Sequence, residues 1–113
     1  MNAIDVYSQY FHAAGEFNGI ERKAAVVALT AESGEGRVSY TVSVNFFPFR
    51  DPEDFGITYD AFFSKEIYSA PGRRSKKREA AYLEEFRTYA DELAASAGGT
   101  VYWDRPLRDA RHE

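Results

Sequence analysis

Residues 37–49 read RVSYTVSVNFFPF. Val38, Tyr40, Val42, Val44 and Phe46 fall on one side of an extended chain. Ser39, Thr41, Ser43 and Asn45 fall on the other, because successive strand side chains point to opposite faces. A run of this kind predicts a strand with one face against a core. Pro48 has no N–H to give a ladder, so the run stops being a central strand there.

The flanking segments follow from this strand. Residues 22–31, RKAAVVALTA, carry no charge from Ala24 to Ala31 and predict a strand buried on much of both faces. The connector ESGEG, residues 32–36, is turn chemistry, so the two strands form a hairpin. Residues 48–57 read as a loop. Residues 58–68, TYDAFFSKEIY, predict a third strand with looser alternation, which sets Phe62 and Tyr68 on its more polar face. Beyond SAPG, Ser75 is placed to cap a helix. Tyr82, Phe86, Tyr89 or Ala90, Leu93 and Ala97 recur at helical spacing, and Gly98–Gly99 ends the run. TVYWD, residues 100–104, supplies a short final strand. At the other end, Asp5, Val6, Tyr10 and Ala14 suggest a short helix over residues 5–14, with a terminal strand as the alternative, followed by an Asn18–Gly19 turn.

The expected fold is therefore α+β. It has a mostly antiparallel sheet of three to four strands, a long helix over about 75–97 on one face, and a short N-terminal helix. The 113 residues fit one small domain, 1–113, with a polar tail over about 106–113.

Composition narrows the function classes. The chain has no cysteine, which removes disulfide scaffolds, thiolate metal sites and cysteine nucleophiles. No stretch reads as a signal peptide or a bilayer span, and a cytoplasmic location is expected. His12 and His112 stand too far apart in sequence to suggest a metal motif. Asp51, Glu53 and Asp54 cluster in the loop without the calcium-loop pattern. Glycine-rich phosphate loops and serine nucleophile elbows are absent. No catalytic residue, metal or cofactor is assigned.

The unusual feature is charge placement. Arg73, Arg74, Lys76, Lys77 and Arg78 stand together without an acid, leaving nine basic against 18 acidic residues in the rest of a chain of net charge −4. Cations at a helix start oppose the partial positive charge of the free N–H groups. Partners within the helix offer little: Lys76–Glu79 is the one favourable local spacing, and such pairs contribute about 0.2–0.5 kcal/mol. Three readings compete: a solvated loop and first turn neutralised by acids elsewhere on the sheet, an acidic surface on another protein or a second copy, and nucleic-acid phosphate. Aromatic residues near it in sequence, Phe62 and Tyr68, and those near the strand ends, Phe47, Phe49 and Trp103, complete the candidate surface, since aromatics and arginine are enriched in binding hot spots.

The leading expectation is a non-enzymatic protein-binding or adaptor domain. Its partner would be another protein or a second copy of the chain, with no membrane involved. A nucleic-acid binder contacting phosphates through residues 73–78 ranks second, because the acidic remainder repels a duplex. A small pocket enzyme ranks third, and would need a polar cluster such as Tyr40, Tyr59 and an acid around an enclosed cavity.

Overall fold

The computed structural model describes residues 2–47 and 61–107. Several sequence expectations lie outside these residues: the loop with Pro48, Phe49 and Phe55, the acids Asp51, Glu53 and Asp54, the first residues of the 58–68 strand including Tyr59, and the tail from 108 with His112.

Five strands and one helix follow in the order β1 (Asn2–Phe17), β2 (Ile20–Gly34), β3 (Arg37–Phe47), β4 (Ala61–Pro71), α1 (Lys76–Ala97) and β5 (Thr100–Pro106). The sheet order is β4-β3-β2-β1-β5, and every neighbouring pair is antiparallel. The first four strands form a meander. The helix then carries the chain across the sheet to place β5 beside β1.

This corrects the expected three- to four-stranded sheet with a short N-terminal helix. No such helix is present: residues 5–14 lie inside β1, and the sheet has five strands. Two register shifts, at Asp5/Tyr7 and His12/Gly15, disrupt the period-two pattern of β1. Each adds a residue opposite β2, so apolar side chains recur at intervals that mimic a helical stripe. The aromatic residues Tyr7, Tyr10 and Phe11, with the β-branched Val6, prefer a pleated surface to a helix. The Asn18–Gly19 turn joins β1 directly to β2, with φ of 54° and 76° at its two central residues. Both values match the type I′ turn that suits the strand twist of a two-residue hairpin.

The β3 alternation is realised without a break. Val38, Tyr40, Val42, Val44 and Phe46 are all buried, and they pair with Ser33, Ala31, Leu29, Val27 and Ala25 of β2. These residues, with Phe11, Ala13 and Val101, form the sheet side of the core. The helix closes it with Phe86, Ala90 and Ala94. Two alanines and Gly99 allow close approach there: a Cβ at Gly99 would come within 2.6 Å of the Phe46 ring.

The helix boundaries follow from its caps. Ser75 is extended, and its Oγ accepts the Arg78 N–H at 3.2 Å. At the other end Gly98 takes φ 91°, Gly99 N–H donates to Ala94 O and Gly98 N–H to Ala95 O. That pair of bonds satisfies carbonyls that the helix leaves open. From one end to the other, 22 residues span about 33 Å. The helix starts over β3 and β4, where Tyr82 meets Tyr40 and Tyr68, and continues over β1 and β5, where Phe86 meets Tyr7 and Trp103.

Candidate functional site

The segment between β4 and α1 leaves the sheet at Pro71 and enters the helix at Lys76. Gly72 N–H donates to Gly36 O at 2.7 Å, tying this segment to the β2–β3 turn. Arg73 to Arg78 therefore form a basic shoulder on one end of the molecule, beside the start of β3.

The shoulder divides into cations that are held and cations that make no hydrogen bond or ion pair to a described residue. Arg74 grips Glu79 with two bonds, Nε to Oε2 at 2.8 Å and Nη2 to Oε1 at 3.0 Å. Glu79 is buried on the inner face of the helix, 6 % exposed. Its Oε2 also accepts the Tyr40 hydroxyl at 2.7 Å, and that hydroxyl oxygen in turn accepts the Ser75 N–H at 3.3 Å. The first turn of the helix is thus bolted to the centre of β3 through one carboxylate. A buried carboxylate is tolerated only when it is paired and hydrogen-bonded. Arg78 instead lays its guanidinium over the Tyr68 ring, 4.3 Å from the centroid, an attractive cation–π geometry. Arg73, Lys76 and Lys77 are exposed and make no hydrogen bond or ion pair to a described residue.

The electrostatics follow this arrangement. The Arg74 guanidinium, aided by the Tyr40 hydroxyl, holds the Glu79 carboxyl below its ordinary value against the opposing effect of burial. Burial and the Glu79 hydrogen bond push the Tyr40 hydroxyl up. The bond to Glu79 likewise raises Arg74. At neutral pH the cluster is a tyrosine donating to a carboxylate clamped by a guanidinium.

The other aromatic candidates are distributed over the molecule. Tyr68 pairs with Tyr40 and faces the helix, because an irregularity between Tyr40 and Thr41 reverses the expected side. It joins the shoulder directly. Phe62 pairs with Asn45 on the open sheet face and is 63 % exposed. Phe62 and Tyr68 are separated by about 20 Å of strand at roughly 3.3 Å per residue. Phe47, at the same end of the sheet as Phe62, stacks edge-on with Tyr10, centroids 6.0 Å apart. Trp103 sits on the far edge strand, wedged between Phe11 and Phe86 with its Nε1 donating to Asp91 at 2.7 Å. The fold brings Tyr68 to the basic residues and leaves Phe62, Phe47 and Trp103 elsewhere.

Sequence reading pairs Glu79 with Lys76 and groups Tyr40 with Tyr59 and an unnamed acid; what it misses is the contact of Tyr40 and Arg74 with Glu79. Glu79 stands in line with Tyr82, Phe86 and Ala90 on the apolar stripe, and an acid on such a stripe is the signal of a buried pair. Tyr40 looked like one more core residue of β3. Its position opposite the helix start depends on topology, which no local pattern encodes.

Chemistry at a pocket is less well served. The Tyr40 hydroxyl meets an acid, as an enzyme site would require, but Tyr40 is 0 % exposed and a substrate has no access to it. A groove of about 640 Å³ lies between β1, the β1–β2 hairpin and β5, lined by His12, Gly15, Arg22, Gly98, Tyr102 and Arg105 among others. Arg22 is buried beside it and donates to the backbone carbonyls of Phe17 and Ile20, which fixes the hairpin end. Among the described residues no group of histidines or carboxylates is arranged to hold a metal ion. No helix among them is long and apolar enough to cross a membrane. No protein-family model, curated protein or solved structure matches the chain.

Proposed function

We propose that the chain is a non-enzymatic protein-binding domain that docks an acidic protein surface on the shoulder at the start of α1. One observation carries the reading: Arg73, Lys76 and Lys77 are exposed and make no hydrogen bond or ion pair to a described residue, in a chain of 18 acidic residues. Cations placed against the helix dipole, with acids available elsewhere in the chain, make a poor contribution to local stability. They make a good contribution to orienting an acidic partner.

The held residues give the exposed ones a fixed base. Arg74 and Tyr40 anchor the first turn through Glu79, and Arg78 covers Tyr68. A partner meeting this surface finds three cations on a rigid platform, with an aromatic ring and guanidinium beside them. Preorganisation lowers the ordering cost of association.

The reading is tested by titrating the protein with a synthetic peptide of alternating glutamate and aspartate, and separately with a single-stranded oligonucleotide. The expected result is peptide binding that weakens with salt and is lost in the Arg73→Ala, Lys76→Ala, Lys77→Ala triple variant. Equal binding by the triple variant would overturn the proposal. So would tighter, equally block-dependent binding of the oligonucleotide, which would make phosphate the ligand.

A further inference from the structure

We propose that the acidic surface taken by this shoulder is the helix of a second copy of the chain, laid antiparallel across the first about a two-fold axis. The inference rests on the reading above and names the partner of the same site.

The complement to the shoulder is already present on α1. Residues 79–97 contain five acids and one base, Arg87. Of these acids Glu79 is buried, and Glu84, Glu85, Asp91 and Glu92 are exposed. The last turn carries no basic residue. The outside of the helix is thus positive at its start and carries Glu84, Glu85, Asp91 and Glu92 further along; the start opposes the helix dipole, and the last turn has no base to complement it. In one copy alone the cations at the helix start oppose the dipole. An antiparallel second helix sets those cations beside Asp91 and Glu92 of the other copy and also opposes the two dipoles.

The steric pattern agrees. The stripe pointing away from the sheet reads Lys77, Ala81, Glu84, Thr88, Asp91 and Ala95, all exposed. Its alternate members are small, which permits an axis separation of about 8–10 Å. With the two-fold axis between Glu84 and Thr88, Glu84 of each copy faces Thr88 of the other rather than itself. Lys77 then faces Ala95 of the second copy, one turn from Asp91 and Glu92, a span of about 5.4 Å that a lysine side chain covers. The interface is isologous, so every such contact occurs twice. Asp91 is held for this by the Trp103 indole N–H, whereas Glu84 and Glu92 have no described partner.

The test is sedimentation equilibrium of the full chain at low and high salt, with two charge variants, Lys76→Glu/Lys77→Glu and Asp91→Lys/Glu92→Lys, each checked for native circular dichroism. The wild type is expected to dimerise, with a dissociation constant rising about tenfold between about 50 and about 300 mM salt. Each variant alone should dimerise at least about tenfold more weakly, and their equimolar mixture should recover to within about threefold of wild type. A mixture no tighter than its components, or variants that dimerise like wild type, would overturn the pairing. A monomeric wild type that still binds the acidic peptide through Arg73, Lys76 and Lys77 would overturn self-association and leave the docking surface standing. A monomer that binds no peptide would overturn both.

Discussion

Replacing Tyr40 with phenylalanine removes a single oxygen from the buried cluster and leaves the ring contacts with Tyr68 and Tyr82 in place. The lost hydroxyl donates at 2.7 Å to a carboxylate that is 6 % exposed. A hydrogen bond to a charged group contributes about 1.5–3 kcal/mol. The second bond, from Ser75 N–H at 3.3 Å, is long and adds little. The expected loss is about 2 kcal/mol, read by urea denaturation at neutral pH with an unchanged m value. At about 4 °C of Tm per kcal/mol for a domain of this size, the thermal midpoint falls by roughly 8 °C. Acid provides the control. Glu79 titrates below its ordinary value, first because of Arg74 and, behind the opposing effect of burial, because of Tyr40. Stability from a lowered carboxyl is fully present above the unfolded value and is lost as pH falls through the folded one. The gap between wild type and Tyr40→Phe should therefore narrow on acidification through that range. A variant within about 0.5 kcal/mol of wild type at neutral pH would show that the hydroxyl adds nothing to the anchoring of α1.

Three further outcomes are expected. Arg74→Met removes the main cause of the lowered Glu79 value, so the acid-unfolding midpoint should move to higher pH; a pH series of thermal melts reads this, and an unmoved midpoint contradicts it. Gly99→Ala would drive a methyl to 2.6 Å from a fully buried Phe46 ring and should cost about 1–3 kcal/mol by denaturant titration. On the outer strand β4, Lys65 pairs with Val42 on the helix side of the sheet, the inward-facing charge that discourages strands from adding to an edge. Lys65→Val should increase light scattering on prolonged incubation, and an unchanged trace would remove that role.

How much of this was legible in the sequence depended on how local each cause was. The β3 alternation and the caps of α1 are written in adjacent residues, and both strand and helix stand where the pattern places them. The β1 bulges hid a strand because two inserted residues changed the spacing of its apolar side chains, and tyrosines on both faces blurred the contrast. The basic block was visible as composition but not as geometry. Arg74 precedes the helix, so helical spacing rules do not describe its reach to Glu79, and Tyr40 lies 39 residues from that acid in sequence. Pairings across such separations are set by strand order, which local pattern leaves open.

The position of β5 bears on how the nascent polypeptide matures. Strands β1 to β4 are neighbours in sequence and can zip together as they leave the ribosome, whereas β5 comes last of the five in chain order. Until it is synthesised, the outer backbone of β1 lacks the pairing it has at Ala13 and Ala14 in the finished molecule. Translation therefore passes through an interval in which one edge of the sheet is the 16-residue β1 rather than the seven-residue β5, a longer template for unwanted strand pairing. β5 then covers the later part of that edge, around Phe11, Ala13 and Ala14, and replaces a long edge strand with a short one.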